Sequence, residues 1–300
     1  MHLPQARRMR ERTTDGLLLV DKPAGVTSHD VVLAARRAFG ERRIGHAGTL
    51  DPFATGLLVL LLGRATRLLP HLDGVPKEYR ATIAFGRETD TDDLAGQTVR
   101  EAPAPGREDV EAAVSALTGM LQQVPPAYSA KRVQGRRAYE AARAGDLLEL
   151  APATVQVFRW LDLRWDGDAL TATILCGGGT YIRALARDLG RLTESAAHLS
   201  ALRRTRSGLF RVDDAVTLEQ LRSGAATLRP TLDALPHLPR VVLEDRDAER
   251  VLRGMAVPRD IALEESASAA LVDARSGALL AFAQSDGVNW QPRVVMHRVD

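Results

Sequence analysis

The 300-residue sequence has little of what several classes of protein require. It contains one cysteine, Cys176, which excludes an internal disulfide, and it has no cluster of cysteines and histidines of the kind that holds structural zinc. No apolar run is long enough to cross a bilayer, and no apolar segment follows the basic N-terminal residues as it would in a secretory signal. We therefore expect a folded cytoplasmic protein that does not enter a membrane.

Lysine is also scarce, since only three of the 40 basic residues are lysines. A lysine that persists in an arginine-rich chain could mark a place that needs a compact ammonium group rather than a planar guanidinium, or it could persist by chance. We take all three, Lys22, Lys77 and Lys131, as candidate substrate-binding residues.

The net charge of +2 is too small to indicate a nucleic-acid partner, so the distribution of charge has to be considered. Basic residues concentrate in segments 7–12, 36–43, 131–143 and 203–211, whereas acidic residues concentrate elsewhere, as at 90–93. A single cluster of this kind is explained as well by a solvated helix face. Four clusters together favour a surface that faces a polyanion.

Apolar spacing and the positions of glycine and proline predict the main elements. Strands are expected at 16–20, 57–62 and 79–85, and a hairpin at 154–165 and 169–176. Helices are expected from Ser28 as N-cap to Gly40, at 107–117, near 137–143, and from Thr180 to a stop at Gly190. The three prolines in 230–239 indicate a linker before a small β-rich domain.

The segment RRIGHAGTLDPFATG has too many backbone breakers for a helix or a central strand, so we expect an ordered loop. Asp51 stands before a proline, which restricts its backbone to the extended region and aims its carboxylate in a narrow range of directions. The loop could present His46, Thr49 and Asp51 at one mouth. On local evidence alone, however, an aspartate that caps a turn before proline is the better explanation.

Two further residues bear on this choice. Arg183 could keep the Asp51 carboxylate ionised and oriented through paired hydrogen bonds, but it could equally form a surface salt bridge or contact a phosphate from its helix N-terminus. Tyr79 could be a core aromatic, could stack on a base, or could act in proton transfer.

The order of six segments resembles the bacterial TruB family, the tRNA pseudouridine-55 synthases. Together they span most of residues 16–210, and GHAGTLDP is the most specific among them. The segments are LLLVDKPAGVTSHDVV, RRIGHAGTLDPFATGLL, KEYRATIAFGRETDTDDLAG, VPPAYSAKRVQGRRAYEAARAG, GGGTYIRALARDLG and HLSALRRTRSG.

The resemblance assigns roles that the residues alone left open. It implies that Asp51 is the catalytic aspartate, that Arg183 is its ion-pair partner, and that Tyr79 stacks on the flipped base. His46 matches the histidine that contacts the substrate T-loop, and Tyr181 and Leu202 fall at further substrate-contact positions.

One segment departs from the family pattern. Where the family often has Ser-Lys-Gly before Thr-Tyr-Ile-Arg, this chain has Gly177, Gly178 and Gly179. A lysine contact to RNA is therefore missing, and we expect weaker phosphate binding at this point without loss of chemistry.

The resemblance also implies a fold and a division into domains. We expect an α+β protein whose catalytic domain, 16–236, is built on a mixed, mainly antiparallel β-sheet flanked by helices, with an RNA-binding insert at about 124–150. A flexible basic arm, 1–15, would precede it, and a small β-rich domain similar to PUA-type RNA-binding domains, 237–300, would follow it.

The implied activity is isomerisation of uridine 55 in the tRNA T-loop to pseudouridine, by base flipping and an aspartate-dependent mechanism. The reaction needs neither redox chemistry nor net hydrolysis, so we expect no cofactor and no metal, and a monomer that recognises the tRNA T-arm without an obligatory protein partner. Two alternatives remain: a guide-RNA-dependent relative that modifies rRNA, and a tRNA-binding folding chaperone.

Overall fold

The computed structural model describes residues 14–129, 132–133, 136–137, 150–259 and 267–296. Lys131, nearly all of the predicted helix near 137–143 and nearly all of the arm at 1–15 lie outside the described residues. Of the insert at 124–150, the structure describes 124–129, residue 150 and the backbone of two short strands. The described residues contain five α-helices: α1 (Ser28–Phe39), α2 (Arg107–Ala116), α3 (Ile182–Leu192), α4 (Leu218–Arg222) and α5 (Asp245–Leu252).

The strands, in chain order, are β1 (Gly16–Lys22), β2 (Ile44–Ala47), β3 (Thr55–Leu62), β4 (Lys77–Phe85), β5 (Arg87–Thr89), β6 (Thr98–Glu101), β7 (Gly119–Gln123), β8 (Arg132–Val133), β9 (Arg136–Arg137), β10 (Ala153–Asp166), β11 (Ala169–Cys176), β12 (Ala197–Ser207), β13 (Phe210–Arg211), β14 (Val216–Thr217), β15 (Arg240–Leu243), β16 (Val257–Pro258), β17 (Ser268–Asp273), β18 (Leu279–Ser285) and β19 (Asn289–Val295). A 3-10 helical segment, Gly63–His71, follows β3.

A ten-stranded sheet forms the centre of the described structure, in the order β14-β1-β3-β12-β4-β11-β10-β7, with β2 beside β3 and β13 beside β12. The β1–β14 and β3–β12 pairs are parallel and the others are antiparallel. The helices flank this sheet, and a second, five-stranded sheet follows in the order β15-β17-β18-β19-β16. The predicted α+β class, with a mixed, mainly antiparallel sheet and a C-terminal β-rich unit, is confirmed.

The apolar run of β3 explains how the sheet is held between two layers. Because side chains alternate along a strand, Leu57, Val59 and Leu61 lie on one face and Leu58, Leu60 and Leu62 on the other. The second set packs with α1 residues such as Val31, and the first packs with residues of the C-terminal sheet such as Phe282. A strand buried on both faces is therefore what this sequence specifies.

The C-terminal sheet shares a core with the central sheet. Phe282 of β18 stacks on His71 with ring centroids 3.9 Å apart, and the Arg64 guanidinium donates to the Met296 carbonyl at 3.0 Å. Apolar burial across this junction joins the two sheets through one continuous cluster.

Three local predictions are wrong in detail. Thr27, not Ser28, caps α1, because its hydroxyl accepts from the Asp30 N–H at 3.1 Å and its own N–H donates to the Asp30 carboxylate at 2.8 Å. Gly190 does not end α3, which runs on to Leu192; a Cβ at Gly190 would lie 2.5 Å from the Ala197 nitrogen, so close packing requires this glycine. Residues 44–47, expected in a loop, form the short strand β2 beside β3.

Candidate active site

The loop between β2 and β3 opens into a cavity at the ends of several strands of the central sheet. The loop, β4, β12 and the start of α3 form its walls. Its lining residues are Gly48, Thr49, Leu50, Asp51, Lys77, Tyr79, Gly179, Thr180, Tyr181, Ile182, Arg183, Leu202 and Arg204. Six of the nine predicted site residues thus meet in one place, from segments that are far apart in the sequence.

Contacts on both sides of Asp51 fix the loop. The Leu50 N–H donates to the Ser28 hydroxyl at 2.9 Å, and that hydroxyl donates to the Leu50 carbonyl at 3.1 Å. The Gly25 N–H donates to the Pro52 carbonyl at 2.8 Å, and the Ala54 N–H donates to the Asp51 carbonyl at 3.1 Å. The turn inferred from the sequence is therefore present, and it leaves the Asp51 carboxylate free to face the cavity.

Arg183 holds the Asp51 carboxylate with two nitrogens. Its Nη2 donates to Asp51 Oδ1 at 3.2 Å, and its Nε lies 3.0 Å from Oδ2. Such a two-point contact fixes the orientation of a carboxylate as well as attracting its charge. Arg183 is 5% exposed, whereas Asp51 is 34% exposed, so the carboxylate can still be reached from the cavity.

Three further acceptors fix Arg183 itself. Its Nη1 donates to the Thr91 carbonyl and its Nη2 to the Tyr128 carbonyl, each at 2.9 Å, and Nη1 lies 3.5 Å from the carboxylate of Asp93. Asp93 in turn accepts from the Thr91 hydroxyl at 2.7 Å. The guanidinium is therefore oriented before any substrate binds.

Two opposing effects act on the acidity of Asp51. Burial raises the pKa of the carboxyl above its ordinary value, and the Arg183 guanidinium is the strongest influence that lowers it again; the charge of Asp93 raises it and that of Lys22 lowers it. The ion pair therefore limits the effect of burial without cancelling it.

A second set of ion pairs supports the segment that carries Asp93. Arg187 donates to the Asp92 carboxylate at 3.0 Å, with both side chains almost fully buried. Asp92 adopts a left-handed backbone conformation with φ of 58°, which the surrounding contacts must stabilise. Burial raises the pKa of Asp92 to about 6, against the lowering effect of Arg187.

Tyr79 and Leu202 lie on the neighbouring strands β4 and β12 and form an apolar wall of the cavity. Tyr79 is 7% exposed and Leu202 is 8% exposed. Burial raises the pKa of the Tyr79 phenol, and the guanidinium of Arg204, its neighbour across the strand pair, opposes that rise. A flat aromatic beside an aliphatic side chain is suited to contact the face of a base.

Tyr181 immediately precedes α3 and is fixed through its backbone. Its N–H donates to Gln123 Oε1 at 2.9 Å, and its carbonyl accepts from Gln123 Nε2 at 3.1 Å. Gln123 is 2% exposed and lies at the end of β7. This contact links the strand before the insert to the segment that carries Arg183.

The predicted substrate contact of Lys22 is wrong for this structure, since the side chain is fully buried. Its ammonium donates to the carbonyls of Val26 at 2.7 Å, Pro23 at 3.0 Å and Pro52 at 3.3 Å. It therefore links the turn after β1 to the loop that carries Asp51. Lys77 lines the cavity, as a substrate contact would, while Lys131 lies outside the described residues.

His46 is the other predicted site residue that does not line the cavity. It lies in β2, where it pairs with Leu60 of β3, and burial lowers the pKa of its imidazole. A substrate contact by His46 stays a prediction.

Sequence reasoning missed three residues of the site as individuals. Arg204 was included only in a basic cluster, and Asp93 only in an acidic one, because neither has a local signal for burial. Arg204 is 1% exposed and donates from Nε to the Leu57 carbonyl at 2.7 Å and from Nη2 to the Gly48 carbonyl at 3.0 Å. Gln123 had no signal at all, because its partner is 58 residues away.

The described residues contain no group of three or more histidine, cysteine, aspartate or glutamate side chains placed to hold a metal ion. Burial raises the pKa of the Cys176 thiol to about 11, so the thiolate, which would be the nucleophile, is scarcely populated near neutral pH. None of the helices in the described ranges is both long and apolar enough to span a membrane.

Comparison with known proteins identifies relatives along nearly the whole chain. Residues 36–182 match the TruB family pseudouridylate synthase N-terminal domain, and residues 183–264 match the tRNA pseudouridylate synthase B C-terminal domain. The tRNA pseudouridine synthase B of Symbiobacterium thermophilum is 46% identical, over 85% of this chain and 87% of the relative. That of Thermobifida fusca is 44% identical, over 94% and 98%.

Solved structures show the same fold. A chain of an H/ACA RNP bound to a substrate RNA containing 2'-deoxyuridine superposes with a TM-score of 0.70, at 24% identity, over 95% of this chain and 86% of that one. A chain of a Cbf5-Nop10-Gar1 complex gives a TM-score of 0.69 at 25% identity, over 94% and 85%. With curated relatives above 40% identity along most of its length, the chain belongs to the TruB family of pseudouridylate synthases.

Proposed function

We propose that this protein converts uridine 55 in the T-loop of tRNA to pseudouridine, without a guide RNA and without an obligatory protein partner. The observation that carries the proposal is the Asp51–Arg183 ion pair at the mouth of a cavity lined by Tyr79 and Leu202. The two relatives described above and a third, from Mycobacteroides abscessus, are all named tRNA pseudouridine synthase B, which supports tRNA as the substrate.

The reaction breaks the bond between N1 of uracil and C1′ of ribose, turns the base within the site, and joins C5 to C1′. C5 then loses its proton and N1 gains one, so that the product is an isomer of the substrate. Nothing is oxidised or hydrolysed. One carboxylate near C1′ and a place to hold the detached base are therefore sufficient, and Asp51 with the Tyr79–Leu202 wall provides both.

The target base has to leave its stack before it can reach Asp51, which costs a few kcal/mol. Contact with the faces of Tyr79 and Leu202 offsets part of that cost. Arg183 keeps the carboxylate oriented toward the ribose throughout, because its other donors are already held by backbone carbonyls. Tyr181 and His46 would contact the opened loop.

The domain boundaries belong to the same proposal. Residues 16–236 would form the catalytic domain, with the insert at 124–150 on the RNA, and 237–300 would form a PUA-like RNA-binding domain. The change from the central sheet, which ends at β14, to the second sheet, which begins with β15, supports a boundary in between.

The test uses purified full-length protein and a bare tRNA transcript with no other component, with pseudouridine mapped by mass-labelling. We expect one product, at position 55. The Asp51→Asn variant should bind the transcript but form no product, whereas Asp166→Asn, at the exposed end of β10, should match the wild type.

Each alternative predicts a different result. If the pure protein forms no product until a guide RNA is added, the guide-dependent reading is correct. If Asp51→Asn forms product at the wild-type rate, the assignment of Asp51 is wrong. A variant that binds and refolds tRNA without forming product would show that a folding role coexists with the chemistry and is separable from it.

A further inference from the structure

The cavity contains a cation for which the described residues provide no hydrogen-bonding or ion-pair partner. Lys77 lies at the start of β4, two residues before Tyr79 and therefore on the same face of the strand. Among the described residues, its ammonium has neither a hydrogen-bond acceptor nor a carboxylate in an ion pair. Burial lowers the pKa of this ammonium, and the Arg204 guanidinium lowers it further.

Arg204 brings a second positive charge to the same point. The Arg204 Nη1 and the Lys77 Nζ lie 3.3 and 3.4 Å, respectively, from the position that a Cβ on Gly48 would occupy. Gly48 has φ of +85° and no side chain, so both cations can approach the loop here. Two positive groups are therefore adjacent on one wall of the cavity.

In the part of the chain that the structure describes, no carboxylate pairs with either of these two cations. Arg204 uses Nε and Nη2 on the carbonyls of Leu57 and Gly48, which are neutral, and Asp51 is engaged by Arg183. Burying an unpaired cation is unfavourable, and repulsion between two cations adds to that cost. A ligand with a full negative charge would remove both penalties.

We infer that Lys77 and Arg204 form a binding site for a backbone phosphate of the RNA, next to the nucleotide whose base enters the cavity. The inference rests on the proposed function, because the flipped uridine brings its flanking phosphates to this wall. Uracil is uncharged, so a base carbonyl would compensate the two cations less well than a phosphate does.

The test measures binding of T-arm stem-loop RNAs that carry a single neutral methylphosphonate at each position in turn. All proteins carry Asp51→Asn, so that the RNA is not converted during the measurement. The protein that carries only Asp51→Asn should bind RNA about tenfold or more weakly when the methylphosphonate stands at one particular position near the target uridine. With Lys77→Met, affinity for unmodified RNA should fall by a similar factor, and that same methylphosphonate should cause no further loss.

Salt dependence gives a second measure of the same contact. Removing Lys77 should reduce the steepness of log affinity against log salt by about 0.7 to 0.9, the amount for one phosphate. Lys77→Arg keeps the charge and should keep the coupling. Arg80→Met is the matched control, because Arg80 lies on the opposite, exposed face of β4 and should leave the coupling to this phosphate unchanged.

The inference would be overturned if each methylphosphonate lowered the RNA affinity of the Lys77→Met protein by the same factor as that of the protein that keeps Lys77. It would also be overturned if Lys77→Met alone bound RNA as tightly as the wild type but formed product more slowly at saturating RNA, since the lysine would then act on the base. Product formation by the wild type is measured in parallel: if it is absent, the proposed function fails, and if it is present without the coupling, only the phosphate site fails.

Discussion

The buried ammonium of Lys22 gives a prediction that depends directly on its surroundings. The side chain has no exposed surface, and burial, opposed in part by the charge of Asp51, lowers its pKa from 10.5 to about 8. In the unfolded chain the pKa returns to its ordinary value. Between about pH 8 and pH 10.5 the unfolded chain therefore binds more protons at Lys22 than the folded chain does.

The sign and the size of the effect follow from this difference. Because the unfolded state binds more protons in that window, the free energy of unfolding rises as the pH rises through it. A difference of 2.5 pKa units at 1.36 kcal/mol each corresponds to about 3 kcal/mol over the full window. Below pH 8 the ammonium is charged in both states, and the whole cost of burying it is present.

The measurement compares urea unfolding of the wild type and Lys22→Met from pH 7 to pH 10.5, followed by tryptophan fluorescence. Other titrating groups affect both proteins alike, so the difference between the two unfolding free energies isolates Lys22. That difference should move in favour of the wild type by about 3 kcal/mol across the window. Lys22→Arg, which stays charged, should differ from the wild type in the same way, and a difference that is constant with pH would refute the reasoning.

Three further predictions concern the site and its support. Arg183→Lys removes the two-point contact that opposes burial at Asp51, so the acid limb of the pH profile of kcat/KM should move to higher pH; an unchanged limb would contradict the ion-pair argument. Gly178→Lys restores the cation that the family often has at this exposed position, and RNA binding should become tighter with a salt dependence steeper by about 0.7 to 0.9, whereas an equal slope would show that no phosphate is reached. Gly56→Ala should lower the free energy of unfolding by more than about 2 kcal/mol, because φ is +101° and the Cβ would collide with a neighbouring backbone, while Gly254→Ala, with φ of +78° and open space, should lose less; equal losses would remove the collision as a cause.

Much of the secondary structure could be predicted because it depends on local rules. The hairpin of β10 and β11 follows from alternation on either side of Asp166–Asp168, and β3 follows from an unbroken apolar run between glycines. The N-cap of α1 was misplaced by one residue although its cause, the contact of Thr27 with Asp30, is local, but the error at Gly190 has a distant cause. Gly190 has the position of a helix stop, but its role comes from contact with β12, which begins seven residues later.

The pairing of Asp51 with Arg183 likewise could not be predicted from local rules, because it joins distant segments. Local rules favoured a turn cap for Asp51, and the turn is present, but the carboxylate is directed by a guanidinium 132 residues away. Six ordered segments pointed to the pair through a family resemblance, not through the physics of the loop. At Lys22 the expectation that the position needs a compact ammonium agrees with the structure, but the ammonium binds three backbone carbonyls and not RNA.

Several charged side chains are buried at or beside this cavity, and each buried cation there has its acceptors among the described residues, whereas the partly buried Lys77 has none. Lys22 and Arg204 are held by carbonyls, and Arg183 by carbonyls and two carboxylates. Such groups are stable only with partners that distant segments supply, so neither composition nor spacing can identify them. Lys77 differs because burial lowers the pKa of its ammonium and no carboxylate of the described residues pairs with it to oppose that lowering. The neighbouring cations have their acceptors within the described residues, whereas the ammonium of Lys77 is left for a ligand. This is the arrangement that a binding site for an anion requires.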